Sequence, residues 1–179
     1  MIYVFLADGF EEIEALATVD VLRRADLSVT TVGIGKTDIV GTHNIIVKAD
    51  VTDDAVSMSD AIAIVLPGGM PGTLNLEASQ TVQDAIAYAV SHRLPIAAIC
   101  AAPSVLGHAD ALKDVEATCY PGFEEDLYGA VVSDRSVVTD GLFTTAKGAG
   151  VAVDFALELV ARLKGESVAA RIREAMQCR

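Results

Sequence analysis

The stretch Pro95-Ile96-Ala97-Ala98-Ile99-Cys100-Ala101-Ala102-Pro103 carries an apolar run straight into a cysteine, and a proline follows three residues later. Alanines stand two residues to either side of Cys100. This is the small-x-nucleophile-x-small pattern of a strand–turn–helix elbow, where a sharp turn admits only small neighbours. Such a turn places the sulfur near a helix N-terminus, whose partial positive charge favours the thiolate and lowers the thiol pKa. A buried core cysteine fits the same letters. Position alone leaves the two readings level.

Two further stretches could join it. Ala7-Asp8-Gly9-Phe10-Glu11-Glu12-Ile13-Glu14 gathers three glutamates after an apolar run. Carboxylates in a first helical turn are ordinary dipole partners, so the residues by themselves read as a solvated face. Glu14 lies one turn inward of Glu11, and a carboxyl buried there beside a thiolate would stay protonated and donate a hydrogen bond. Leu66-Pro67-Gly68-Gly69-Met70-Pro71-Gly72 permits close backbone approach. Its N–H groups, with that of Ala101, could form an oxyanion pocket; a plain turn is the alternative. It does not read as a phosphate loop, for this stretch holds neither G-x-G-x-x-G nor Gly-Lys-Ser/Thr.

The histidines are His43, His92 and His108. His92 falls at a helix end and reads as solvated. His108 lies two turns beyond Cys100, too far for direct contact. His43 falls in a hairpin and could approach a second subunit. No CxxC, HxxxH or HExxH spacing is present, so no metal site is expected. Cys119 and Cys178 carry no motif; the first reads as semi-buried and the second as a terminal bystander.

The elements that must position these residues alternate in type. Ile2–Ala7 is a continuous apolar strand, Glu11–Ala25 has helical spacing, and Leu27–Gly33 reads as the next strand. A hairpin surrounds Gly41-Thr42-His43-Asn44. Ala61–Leu66 and Pro95–Ile99 are strands, Ser79–His92 is a helix, and another helix opens near Pro103. Short β pieces fill Val131–Ala146, and helices follow over Val151–Leu163 and Ser167–Met176. Alternation of this kind predicts an α/β fold with a mostly parallel sheet and helices on both faces. Ligands in such folds sit at the carboxyl ends of strands, here Ala7–Glu14, Leu66–Gly72 and Ile99–Pro103.

The chain has 179 residues, 52% hydrophobic and 21% charged, which fits one domain over 1–179 and excludes a disordered chain. Its formal net charge of -12 argues against nucleic acid and anionic membranes as partners. Three cysteines in no framework point to a reducing compartment, and the apolar start is too short for a signal peptide, so the expectation is a cytoplasmic protein.

Together these stretches, with Val19-Asp20-Val21-Leu22-Arg23-Arg24-Ala25 and Gly148-Ala149-Gly150 before Phe155-Ala156, resemble the ThiJ/PfpI superfamily (class I glutamine amidotransferase-like). Within it they are similar to the DJ-1-like branch of the parkinsonism-associated deglycase. The resemblance implies a flavodoxin-like three-layer sandwich, a homodimer, and no cofactor. It implies that Cys100 is the nucleophile, that Glu14 is the protonated carboxyl beside it, and that Gly69 and Ala101 supply the oxyanion hole. It places Gly68, Tyr120 and His43 in the pocket, and Val19, Leu22 and Arg23 at the dimer interface.

The sequence departs from the family pattern where Ala101 follows the nucleophile instead of His, which argues against a peptidase or amidotransferase dyad. Tyr120 precedes Pro121 where the branch often has His, His43 stands in place of a hairpin Arg, and Lys147 in place of a late Arg. The function implied is turnover of reactive aldehydes or dicarbonyls, or of their protein adducts, of the glyoxalase or deglycase kind, protective against carbonyl or oxidative stress. The alternatives are a non-enzymatic cysteine redox sensor and, following the family's name, a part in thiazole monophosphate biosynthesis.

Overall fold

The computed structural model describes residues 1–178. The first half of the chain forms β1 (Ile2–Leu6), α1 (Glu12–Arg24), β2 (Val29–Gly33), β3 (Asp38–Val40), β4 (Ile46–Lys48), β5 (Val51–Thr52) and β6 (Ala63–Leu66). Then follow α2 (Gly72–Glu77), α3 (Gln80–Ser91), β7 (Ile96–Ile99), α4 (Pro103–His108), β8 (Glu116–Ala117) and β9 (Val131–Val132). The chain continues with β10 (Val137–Asp140), β11 (Phe143–Ala146), α5 (Ala152–Lys164) and α6 (Glu166–Ala175).

The main sheet has seven strands in the order β10-β11-β7-β6-β1-β2-β5. All its pairings are parallel except β10 with β11, which turns back at Asp140-Gly141 as a hairpin. β3 and β4 form a separate antiparallel hairpin. β1 shows why the centre reads as an unbroken apolar run. Ile2, Val4 and Leu6 point to one core, and Tyr3, Phe5 and Ala7 to the other. Both faces are therefore covered, as a parallel sheet requires. α1, α5 and α6 close the first face, with Val19 and Leu22 packed in the same core as Phe155 and Leu159. Helices α2, α3 and α4 close the other, through Leu76, Val82, Ile86, Val105 and Leu106. Leu22 has no exposed surface, and its truncation to Ala is worth about 2–5 kcal/mol of stability.

The flavodoxin-like three-layer arrangement expected from the sequence is the arrangement found. The interface role expected of Val19 and Leu22 is not: both are buried against α5 within the chain, and Arg23 pairs with Asp50 at 2.7 Å. The outward residues of α1 are Ile13 and Leu16, 58% and 38% exposed. Helix α2 went unread in the sequence. It is six residues long, opens on glycine and has no side-chain cap, so it carries none of the usual start signals.

Candidate active site

β7 ends at Ile99 and α4 starts at Pro103, so the chain must reverse within three residues. It does so through Cys100, whose φ of +65° lies in the left-handed region. For a residue with a Cβ this conformation costs about 1–2 kcal/mol. Two long-range bonds hold it: the Cys100 N–H donates to the Ala146 carbonyl at 2.9 Å, and its carbonyl accepts from the Tyr120 N–H at 2.8 Å. Ala98 and Ala102 flank the turn with no exposed surface. The elbow read from the sequence is present, and the sulfur is half-buried at the carboxyl edge of the sheet.

Glu14 reaches the same point from the first turn of α1. Its residue exposure is 1%. Oε2 accepts the Gly68 N–H at 2.8 Å, while Oε1 is buried without a conventional hydrogen-bond partner. The Cys100 thiol lies close enough for each group to shift the other's proton affinity. Burial pushes the Glu14 carboxyl up to about 7, against the hydrogen bonds from Cys100 and Gly68. The structure puts Cys100 opposite to the expected lowered pKa. Burial first, then the charge of Glu14, push the thiol up to about 12. A helix of six residues behind the sulfur does not offset a carboxylate in front of it. When Glu14 is neutral, its charge no longer opposes the thiolate and its O–H can donate to the sulfur.

The N–H groups of Ala101 and Gly69 both favour the thiolate. Neither has another acceptor among the described residues. Gly69 has φ of +94°, which aims its N–H across the strand ends. Gly68 is required by space instead: a Cβ there would stand 2.6 Å from the Cys100 Cβ and 2.8 Å from Glu14 Oε2.

Beside the sulfur lies an open cleft of about 420 Å³, lined by Tyr120, Pro121, Ser136, Lys147 and the turn Gly148–Val151. Gly148 is its inner wall. A Cβ built on it meets the Tyr120 ring at 3.3 Å and the Cys100 sulfur at 3.9 Å, so the bare glycine keeps the passage open. Tyr120 is 51% exposed at the mouth.

His43 stands apart from this group. It is an exposed hairpin residue whose Nδ1 lies 2.9 Å from Glu12 Oε2 and 3.4 Å from Glu11 Oε2, and it does not act on the Cys100 sulfur. The hydrogen bond to Glu12 raises its pKa. The solvated reading of Glu11 and Glu12 fails here, for they are 9% and 4% exposed. Glu11 caps α1 by accepting the Ile13 N–H. Glu12 accepts the N–H groups of His43 and Ile45. Burial works against the Glu12 charge, but those bonds and the His43 ring hold its pKa below the usual range. The ligating atoms of Glu11, Glu12 and His43 come within 4.8 Å of one another, a grouping that sequence spacing does not reveal.

The other cysteines and histidines lie elsewhere. Cys119 is 3% exposed, more buried than expected, and burial pushes its thiol up to about 11. Cys178 is half-buried near the chain's end. His92 caps α3 and stacks on Tyr88. His108 lies between Glu77 at 2.6 Å and Asp126 at 3.4 Å.

This site on this fold can be set beside known proteins. The sequence profile of the DJ-1/PfpI family matches residues 1–162. The chain belongs to the DJ-1/PfpI family. It is similar to protein DJ-1alpha of Drosophila melanogaster, 35% identical over 97% of this chain and 82% of the relative. It is similar also to deglycase PfpI of Pyrococcus furiosus, 31% identical over 88% of this chain and 96% of the relative. The structure of oxidized Toxoplasma gondii DJ-1 superposes with a TM-score of 0.94, 29% identity, and coverage of 98% of this chain and 97% of the other. As a DJ-1/PfpI member the chain has no helix, among the described residues, long and apolar enough to cross a membrane.

Proposed function

We propose that the protein is a cysteine-dependent enzyme acting on reactive dicarbonyls or their early adducts without an added cofactor. The observation that carries this reading is the pairing of Cys100 with a buried carboxyl pushed up to about 7, facing two free N–H donors. A group with that pKa can both accept and return a proton at neutral pH.

Glu14 takes the thiol proton, and the Cys100 sulfur adds to the aldehyde carbon of a 2-oxoaldehyde. The carbonyl electron pair moves to oxygen, which the N–H groups of Gly69 and Ala101 receive. Glu14 returns its proton to that oxygen, completing the hemithioacetal; it then takes the proton from the former aldehyde carbon and delivers it to the neighbouring carbon, while the hydroxyl proton passes to the neighbouring oxygen. This gives a thioester of the 2-hydroxy acid. Water then cleaves the thioester, releasing the acid and restoring the thiol. Tyr120, in the place a histidine could have taken, offers a phenol at the mouth for orienting the second carbonyl.

The relative named deglycase PfpI supports an activity on glycated adducts of the same chemistry. Methylglyoxal consumption tests the reading, with wild type and Cys100→Ser side by side and free thiols excluded. Lactate formed by the wild type and lost in the variant is the expected result. Equal rates in both sink it.

A redox-sensing role rests on a different observation: the half-buried sulfur faces two N–H groups and a neutral-capable carboxyl, which would also hold a sulfinate. Mild peroxide should then add two oxygens to Cys100 and spare Cys119 and Cys178, as read by mass spectrometry. As for assembly, we place the homodimer contact at Ile13, Leu16, Ile45 and Ile46, which are 38–66% exposed on α1 and the β3–β4 hairpin. Sedimentation of Ile13→Glu tests that face.

A further inference from the structure

The cleft beside Cys100 carries a charge of unexpected sign. In a chain of net charge -12, its lining includes a half-buried lysine, Lys147, which forms no ion pair among the described residues. Arg135, which precedes the lining residue Ser136 in the chain, is already held by Glu116 at 2.8 Å. The Lys147 backbone is fixed, since its N–H donates to the Ser136 carbonyl at 3.0 Å. The Ser136 hydroxyl and the Tyr120 phenol line the same space. Gly148, next in the chain, opens the way to the sulfur. An ammonium with no ion-pair partner among the described residues, in a cleft whose Gly148 wall adjoins the nucleophile, is a place for a negative charge on the substrate.

We infer that the substrate is a carbonyl compound bearing a carboxylate at its far end, held by Lys147 with Ser136 and Tyr120 while its aldehyde meets Cys100. This rests on the proposed dicarbonyl activity and names its substrate class. The charge is a single one. One ammonium and two neutral hydroxyls balance a monoanion, and Glu124 and Asp126 act on the neighbouring Cys119 with the opposite sign, so a dianionic phosphate would keep an unbalanced charge.

Two measurements test it. The first needs no turnover: protection of Cys100 from iodoacetamide by 4-oxopentanoate, against its uncharged analogue pentan-2-one. Neither ketone has an aldehyde to isomerise. Wild type should be protected at concentrations at least about tenfold lower by the carboxylate, the scale of one charge-assisted hydrogen bond. Lys147→Met should erase the difference and Lys147→Arg should keep it, while Lys164→Met, on the exposed end of α5, should change nothing. Equal protection by the two ketones in wild type, or a preference that survives Lys147→Met, overturns the carboxylate subsite.

The second compares kcat/KM for 4,5-dioxopentanoate and methylglyoxal. The carboxylated substrate should lead by about tenfold, with the lead lost in Lys147→Met. A lead that survives Lys147→Met, or no lead in wild type, also overturns the subsite. Turnover of neither substrate refutes the enzyme reading, and the protection experiment then decides the subsite by itself.

Discussion

The Gly68 N–H donates to Glu14 Oε2 at 2.8 Å, joining the end of β6 to the first turn of α1 across 54 residues of sequence. The same glycine touches the nucleophile, for a side chain on it would meet Cys100 and Glu14 together. One backbone position thus sets the spacing of the two groups that exchange a proton. Gly68→Ala must push either the elbow or the carboxyl aside, since its Cβ would fall at 2.6 and 2.8 Å from them. Methylglyoxal turnover should fall by at least about a hundredfold, the scale of a reacting geometry misplaced by about an ångström. Full activity in that variant would show that the pair tolerates separation.

The pH dependence of thiol reactivity follows from the Glu14 carboxyl. Below about 7 both groups hold their protons, and alkylation of Cys100 should rise roughly tenfold per pH unit. Above that point a single proton is shared, and the rate should level off. In Glu14→Gln the inflection near 7 should vanish. An unchanged profile in that variant, followed by iodoacetamide labelling, removes Glu14 from the chemistry.

Stability should move the other way. The folded Glu14 carboxyl keeps its proton up to about 7, whereas its ordinary value is 4.5. Between those values the native state binds more protons than the unfolded chain, so stability falls as pH rises through the window. The full loss is present above about 7 and absent below about 4.5. Its ceiling is about 3 kcal/mol. Glu14→Gln should therefore be more stable than wild type at pH 8 and match it near pH 4, a convergence that denaturant titrations at the two pH values will measure. Parallel curves at both would show that burial of this carboxyl has no such effect.

The passage at Gly148 predicts a graded series. An alanine Cβ meets the Tyr120 ring at 3.3 Å and the sulfur at 3.9 Å, and the Gly148 φ of +159° strains alanine and valine alike, so the added methyls are what separates the two variants. The two methyls of valine have no room there. Gly148→Ala should reduce kcat/KM a few-fold and Gly148→Val by at least about a hundredfold, with near-UV spectra confirming folded protein. Equal, small effects would place substrate entry elsewhere.

What the sequence disclosed and withheld follows from how far apart the determinants lie. The elbow at Cys100 was legible because strand, small neighbours and Pro103 are contiguous. The sheet was legible because β1, β6 and β7 are unbroken apolar runs. Glu11 and Glu12 were misread as solvated because Glu12's partners, the N–H groups of His43 and Ile45, are 31 and 33 residues away. The direction of the Cys100 shift was hidden for the same reason, since the burial that chiefly raises it and the Glu14 charge that adds to it both come from other parts of the chain. Val19 and Leu22, given to an interface by the resemblance, are covered within the chain by α5, which comes late in the sequence.

Glu12 anchors the β3–β4 hairpin chiefly through main-chain N–H groups, which every residue except proline possesses. Such a mooring does not depend on what the tip residues are. Positions 43 and 45 can therefore change identity without loss of this mooring, whereas Asn44, at φ of +62°, is restricted by the turn itself. Relatives could change the chemistry they present on this face, one tip residue at a time, without disturbing the nucleophile behind it.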